Sequence, residues 1–593
     1  MRADLTVFDG PNLLVPYAAV AVEADRPAGM PPQEAHARAL RQLLPPELLR
    51  RVRLPLPDAG FETLLGALAR CLHELHGDNG LPITVERQGH GSCRIIAAYL
   101  DPAATSLALH VAVDLAAFCF TEPVGQRRKA GQLAGRLQLV ADQLHARQPD
   151  PLARALIAAA RRRGIPVTPV SPGSRVWLYG QGSSGVHLFE AASHFDAFTG
   201  SRLARNKVLA NQLVTRLGFP GVRHGTAPSA EEARRIAREI GFPVVVKPAA
   251  GGKGAGVTVH ITDDATLLAA FAGAQKLAMG EVLVERHVAG DDHRLVVIGG
   301  QFAWAVRRAP PQLTGDGEHS IQQLLEIENS RRAALPAAAI AATKLTLDDE
   351  VRGVLAAQGV KPDDRLPLGT TVLLLRIANI SRGGTLADCT ASVHPEVRDM
   401  AEAIARSIHL DAIGIDFMTP DITRSWREVD CAVLEVNSTP GFSSDARAKL
   451  ILERRFPADG DGRVPSVVLI GAGAGELAVV AQLLEREGLR VGCTDGEHTT
   501  LAGQPRMPGA AALPARVTAL LLDAACDALV IGATAAEIEQ HGLPLDRCHL
   551  ALLGAAPLAP PLEALIAAHA NEVQCLPASG VPVAAVVALA QRR

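Results

Sequence analysis

Apolar positions along the chain alternate between a helical and a strand period. From Phe61 to His76, Leu64, Leu65, Leu68, Leu72 and Leu75 recur at three- and four-residue spacing, which predicts an amphipathic helix. Ile95–Leu100 and Leu107–Val113 are short apolar runs and read as paired strands. Arg127–Arg147 and Leu152–Arg163 return to the helical period, with Gln148-Pro-Asp-Pro151 breaking the chain between them. The basic end Arg161-Arg-Arg163 suits a helix C-terminus. Arg175–Tyr179 and Gly185–Phe189 then read as a hairpin.

The middle of the chain carries the densest pattern. Lys207 falls on a helical stretch running to Gly218. Val244-Val-Val-Lys247 reads as a buried strand that delivers an ammonium at its exit. Gly251, Gly252, Lys253, Gly254 and Gly256 follow at once, then the strand-like Thr258-Val-His-Ile261. Glycines between two strands allow a tight turn whose N–H groups can close over phosphate oxygens, although a plain hairpin uses the same residues. Further on, Val282-Leu-Val-Glu285 leads into Gly290-Asp-Asp-His293-Arg294-Leu-Val-Val. Pro310–Leu366 turns Ala-rich and helical, as an insertion would, with Gln322–Asn329 as one helical segment. Thr371–Arg376 reads as a strand, Asn379–Gly384 as a polar loop, and Glu396–Leu410 as an amphipathic helix before Gly414-Ile-Asp416. Glu435 and Asn437, two apart on an apolar strand, point to one side. With Asp416 they form a set of hard oxygen donors of the kind Mg²⁺ takes when it is shared with nucleotide phosphates.

Composition narrows the class. With 593 residues, 48% hydrophobic and 20% charged, the chain has the content of an ordinary globular protein of about three to four domains. A formal charge of −3 gives no sign of attraction to nucleic acid or membrane. No apolar run is expected to reach the eighteen or so residues of a membrane span, and the start Met1-Arg-Ala-Asp4 lacks a signal-peptide core; the expectation is cytoplasmic. Nine cysteines lie singly without ligand spacing, and Cys71, Cys119, Cys526 and Cys548 in apolar surroundings read as buried small hydrophobes.

In combination, these motifs resemble the ATP-grasp superfamily, and within it the cyanophycin synthetase family. The residues that carry the resemblance are Gly290–Val297, Thr314-Gly-Asp-Gly-Glu-His-Ser-Ile321, Asn379–Gly384 with Asp388 and Thr390, His394-Pro395, Gly414-Ile-Asp416 and Glu435–Gly441. The resemblance covers roughly residues 150–455. It implies that Lys207, Lys247 and the glycine segment hold ATP phosphates, with Glu285 near adenine and ribose and His293 as a ribose contact. It also implies that Arg294 and Arg307 stabilise the transferred phosphoryl group, and that Ser381 and Arg382 bind the acceptor. Asp416, Glu435 and Asn437 would hold Mg²⁺. Arg308, beside Arg307, reads as a plain surface charge. Activity would be ADP-forming ligation of a carboxylate and an amine, on an amino acid or short peptide of the Asp/Arg type. A homo-oligomer, and a second ligase supplying a missing step, are the partners implied.

Residues 456–465 read as a linker. Ser466–Ile470, the glycines through Gly475 and the helix opening at Glu476 are similar in position to the Mur-ligase-like module of the same family. There a phosphate-binding Lys is expected near Gly475 and a metal-binding Glu near Gly532, and neither is present. A carboxylate opening that helix repels phosphate. The expected organisation is α/β and α+β multidomain. Residues 1–150 form a small N-terminal α+β domain, faintly similar to the family's N-terminal domain through Gly10-Pro-Asn12. Residues 151–455 form the ATP-grasp ligase, and 466–593 a truncated, P-loop-type Mur-like remnant. The alternative class is a non-catalytic partner that stabilises or regulates a complete synthetase.

Overall fold

The structure, a computed structural model, describes residues 3–27, 60–75, 80–89, 91–120, 126–147, 149–171, 173–249, 255–278, 281–334, 343–378, 380–441, 444–458, 460–507, 511–577 and 579–591. Contacts divide the chain into two compact units, 1–187 together with 456–593, and 188–455.

The first unit begins with an antiparallel sheet of β1 (Ala3–Phe8), β2 (Ala19–Asp25), β3 (Ile83–Gln88) and β4 (Ser92–Ala98), in spatial order β1-β2-β4-β3. Helices α1 (Phe61–His73), α2 (Pro102–Cys119) and α3 (Gln126–Arg147) share one core with it, in which Leu64, Leu68, Ile95, Leu109 and Val140 are buried. The run Leu107–Val113, expected as a strand, lies inside α2. The Asp101 side chain accepts the Ala104 N–H and Pro102 opens the helix, so the N-terminal signal prevails over the short apolar run. Because α2 is walled in on most sides its pattern is apolar all round, which hides the helical period. The same helix corrects the expectation about membrane spans. Its 18 residues are long and apolar enough to pass that test, and 67% of them are buried inside the fold.

In the same unit, α4 (Pro151–Arg162) is capped by Asp150, which accepts from the Leu152 and Ala153 N–H groups.

The second unit is built from two antiparallel sheets. Lys207 opens α5 (Lys207–Arg216), a helix separate from Phe198–Arg205 because Asn206 breaks the run and caps the new one. The first sheet contains β5 (His224–Ala227), β6 (Val244–Pro248), β7 (Thr258–Ile261) and β8 (Val282–Arg286) in order β7-β6-β8-β5. Helices Ala230–Ile240 and Asp264–Leu277 cover it through Val244, Val246, Ile236 and Phe271. The second sheet comprises β9 (Asp291–Ile298), β10 (Gln301–Ala309), β11 (Thr385–Asp388), β12 (Ala412–Thr419) and β13 (Ala432–Asn437), in order β11-β10-β9-β12-β13. Helix Pro395–Ile408 packs on one face through Val397, Met400 and Ile404. The insertion has its own small core, formed by a hairpin of Gln312–Thr314 with Thr371–Leu373 and helices Ile321–Ala333 and Asp349–Ala357. The strand expected to reach Arg376 ends at Leu373.

Residues 466–577 return to the first unit as five parallel strands: β14 (Ser466–Ile470), β15 (Val491–Thr494), β16 (Ala528–Ala533), β17 (Cys548–Leu553) and β18 (Ala570–Cys575). Their order is β15-β16-β14-β17-β18, with two short antiparallel strands beyond β15. Backbone bonds tie this sheet domain to the N-terminal one: Asp9 N–H donates to the His541 carbonyl at 2.9 Å, and Leu543 N–H to Pro11 at 2.7 Å. All nine cysteines are free. Burial pushes the thiols of Cys119, Cys526 and Cys548 up to about 12, so they are inert packing groups at neutral pH.

Candidate active site

Strand alternation builds the first wall. Val244 and Val246 enter the core, whereas Val245 and Lys247 face a cavity of about 280 Å³. β6 and β8 pair with Val245 opposite Glu285, which places Glu285 one diagonal step from Lys247. Lys247 Nζ lies 2.7 Å from Glu285 Oε1, and both residues are under one tenth exposed. Val259, Met418, Leu434 and Ile377 add apolar surface to the same cavity. An apolar pocket with a few fixed charges at one end is what a nucleoside phosphate requires.

The second sheet carries a charged face, of which Asp292 and Arg308 border the same cavity. The register sets Arg294 opposite Asp416, Asp416 opposite Glu435, and Gly414 opposite Asn437. Arg294 pairs with Asp416 through Nε, and its Nη2 donates to Asp416 Oδ2 at 3.3 Å. Arg308 Nη2 lies 3.1 Å from Asp416 Oδ2 and 2.7 Å from Asp292 Oδ1. Burial alone would raise the Asp416 carboxyl, but Arg294 and Arg308 outweigh it and hold the group below its ordinary value. Asp292 moves the other way: burial raises it, only partly offset by Arg308. Gly414 is required beneath this cluster, since a Cβ there would stand 3.0 Å from Arg294 Nη1. Gly290, at φ +137°, lies so close to Thr419 that a Cβ would come within 2.3 Å of its carbonyl carbon.

Lys207 Nζ reaches Glu435 Oε2 at 3.7 Å, an anchor for a cation that the N-terminal turn of a helix otherwise disfavours. Lys207, Lys247, Glu285, Arg294, Asp416, Glu435 and Asn437 therefore belong to the walls of one unit. Arg307 and His293 do not share the Asp416 face. Arg307 is exposed and pairs with Asp291 at 3.1 Å. His293 is buried with Nδ1 3.0 Å from the Asp291 carbonyl, and burial lowers its pKa. The arginine on the Asp416 face is Arg308, which corrects its reading as a plain surface charge; it is one residue out of parity with Arg307.

Arg382 pairs with Asp348 at 2.6 Å and with Glu350, and it lines a separate cavity of about 210 Å³ with Lys344 and Thr346. The Ser381 side chain and Gly251, Gly252, Lys253 and Gly254 lie outside what the structure describes. Gly256 is described and adopts φ +71°. Asp292 and the apolar contacts Met418 and Leu434 carry no assigned role in the sequence, and Arg308 carries only that of a surface charge. The two-residue period of Asp291–Ile298 against Gln301–Ala309 is the signal that reveals Arg308.

Among the described residues, no three His, Cys, Asp or Glu side chains gather as a metal cluster. Asp416, Glu435 and the Asn437 amide nevertheless share one sheet face. Asn437 Nδ2 lies 3.5 Å from the Gly414 carbonyl, an arrangement that leaves its oxygen to turn outward. Two carboxylates held beside cations plus an amide oxygen suit Mg²⁺ as a donor set.

The chain folds into mixed α/β units, and the second of them holds the stretch that a family model matches. A family model, the ATP-binding domain of the carbamoyl-phosphate synthase L chain, matches residues 206–296. The chain is similar to the cyanophycin synthetase of Crocosphaera subtropica, at 30% identity over 422 residues, 68% of this chain and 48% of the relative. It is also similar to the glutathione biosynthesis bifunctional protein of Streptococcus thermophilus, at 28% identity over 42% of this chain and 35% of that protein. Among solved structures, the bifunctional glutathione synthetase of Pasteurella multocida aligns over 59% of this chain and 51% of that one, with 20% identity and a TM-score of 0.41. The chain spans about half the length of the cyanophycin synthetases it matches.

Proposed function

We propose that the chain is an ATP-dependent, ADP-forming carboxylate–amine ligase acting on an amino acid or short peptide. One observation carries the reading: the Lys247–Glu285 pair and the Arg294–Asp416–Arg308 cluster line one unit's charged walls, beside a cavity with apolar lining. In the proposed reaction a carboxylate oxygen of the substrate attacks the γ-phosphorus, the bond to the β-phosphate oxygen breaks and ADP leaves. The amine then attacks the acyl carbon, loses a proton, and phosphate departs. Lys247 and Lys207 offset the charge of the phosphates, while Arg294 and Arg308 are fixed donors for charge developing at the transferred group. Asp416, Glu435 and Asn437 would hold Mg²⁺, which supplies charge neutralisation across the phosphates. Arg suits the phosphoryl position through its planar donor fork.

The finer reading is addition of aspartate to a peptide backbone, as the family resemblance implies; likeness to proteins named cyanophycin synthetase supports it. Residues 466–593 are proposed to bind no nucleotide, so a second ligase would supply any further step. Nine free thiols suit a reducing cytoplasm, and a homo-oligomer is proposed by likeness to the family. The test is ATP-dependent phosphate release with the full chain across amino acids and short Asp/Arg peptides, with and without Mg²⁺. Release stimulated by a substrate pair, with amide product by mass, supports the ligase. Absence of nucleotide binding and of stimulation favours the non-catalytic partner.

A further inference from the structure

The charges lining the 280 Å³ cavity can be sorted by their partners. Lys247 meets Glu285 at 2.7 Å, Arg286 meets Asp430 at 2.8 Å, Arg308 meets Asp292 at 2.7 Å, and Asp291 meets Arg307 at 3.1 Å. One lining charge remains. Arg376 borders the cavity beside Ile377 and Ala378, is exposed, and makes no ion pair among the described residues. The cavity wall therefore carries one uncompensated positive charge, on the side chain best suited to fork onto phosphate oxygens.

From this charge balance we infer that Arg376 is a phosphate-contact residue, engaging the β-phosphate of the bound nucleotide. The inference rests on the ligase reading for its ligand and goes beyond it in naming the residue. The two lysines read as phosphate ligands are already held by Glu435 and Glu285 in the nucleotide-free fold. Binding a triphosphate through them alone means loosening buried or half-buried pairs, which is costly when one partner is left behind. Among the described residues, Arg376 has no such pair to give up. Its position explains its chemistry as well. The strand Thr371–Leu373 ends three residues earlier, so Arg376 sits on irregular backbone at the cavity rim, where its long side chain can reach inward. A chain that needed only a solvated charge here gains nothing from placing it against Ala309 and Pro310 at the cavity mouth.

Calorimetry on the full chain with AMP, ADP and a β,γ-non-hydrolysable ATP analogue tests this. Arg376→Gln should weaken ADP and analogue binding about tenfold or more, leave AMP within about twofold, and reduce the salt dependence of analogue binding. Arg376→Lys should recover part of the loss. Unchanged analogue affinity in Arg376→Gln overturns the inference while leaving the ligase reading intact. So does an equal loss for all three nucleotides, which marks a structural role. A raised KM for the amino-acid substrate with intact nucleotide affinity also overturns it, since Arg376 would then read the acceptor. If the unaltered chain binds none of the three nucleotides, the ligase reading and the inference fall together.

Discussion

Two segments of this chain share one local design and differ in charge. In each, an apolar strand runs into glycines: Val244–Pro248 before the segment ending at Gly256, and Ser466–Ile470 before Gly471–Gly475. The first strand delivers Lys247 to a cavity wall, against Glu285. The second delivers no cation. Its turn is closed from above, because Gly554 packs so tightly on the Gly471 carbonyl that a Cβ there would stand 2.2 Å away. The Glu476 carboxylate curls back over the helix start, with Oε2 2.9 Å from where a Cβ of Gly473 would be. A carboxylate there stabilises the helix N-terminus and disfavours an approaching anion. Between β15 and β16 the buried Arg516 guanidinium bonds Thr494 and the Gly532 carbonyl and pairs with Glu537, sealing the strand ends from inside. Glycines after a strand permit close approach; the charges around them decide what approaches.

The strongest way to break this contrast is at the oxygen donors. Glu435→Gln and Asp416→Asn should each lower ATP-dependent phosphate release by about a thousandfold or more, since the phosphates lose an anionic metal ligand. Asp416→Asn should also destabilise the central unit by about 3–5 kcal/mol, because Arg294 and Arg308 lose their shared anion; urea unfolding measures that. Near-normal turnover with Mg²⁺ in Glu435→Gln would falsify the donor assignment.

A smaller effect is expected at the first strand exit. Lys247→Ala should weaken ATP binding by about 10- to 150-fold, the loss of a charge-assisted contact of about 1.5–3 kcal/mol, seen as a rise in Kd by calorimetry.

Acid titration sharpens the contrast further. Asp416 is depressed on folding, so its stabilising contribution is complete above the unfolded value of about 3.9 and is lost as pH falls through the lower folded value. Asp292 is raised and has the opposite sign: its ionisation opposes folding above that value. The urea midpoint of Asp416→Asn should therefore fall less steeply below about pH 4 than that of the unaltered chain. Parallel slopes would remove the carboxylate from the acid response. Smallest of all, Gly475→Ala should leave turnover within about twofold, and Glu476→Gln should cost only about 0.3–1 kcal/mol of local helix stability with no change in nucleotide Kd.

How much could be read beforehand follows from which signals are local. Lys247, Glu285, Asp416 and Glu435 stand on strands whose apolar runs are short and bounded, so the sequence located them and the two-residue period oriented them. Arg307 and Arg308 could not be separated without register, because adjacent residues on a strand face opposite sides and only the pairing of Arg308 with Asp292 decides which side is charged. Arg382 shows a second limit. A polar loop suggests a site, but the carboxylates that claim its arginine lie 34 and 32 residues away, at Asp348 and Glu350. Leu107–Val113 shows a third, since an apolar segment buried on most sides loses the periodicity that distinguishes helix from strand. Arg376 ends a run that reads as a strand, and its lack of an ion pair among the described residues emerges only when the neighbouring charges are matched.

The backbone bonds between Asp9 and His541, and between Pro11 and Leu543, set an order of events during synthesis. At the usual 5–20 residues per second, the ribosome needs roughly 30–100 s after making the first strand before the partner segment emerges. The central unit, complete by Arg455, leaves the tunnel earlier and has all its contacts in hand. Its contacts close first, while Asp9 N–H and the Pro11 carbonyl wait for residues 541–543. A ribosome stalled between residues 456 and 540 would thus hold a complete central unit on an incomplete first one, with Asp9 N–H and the Pro11 carbonyl still lacking their partners.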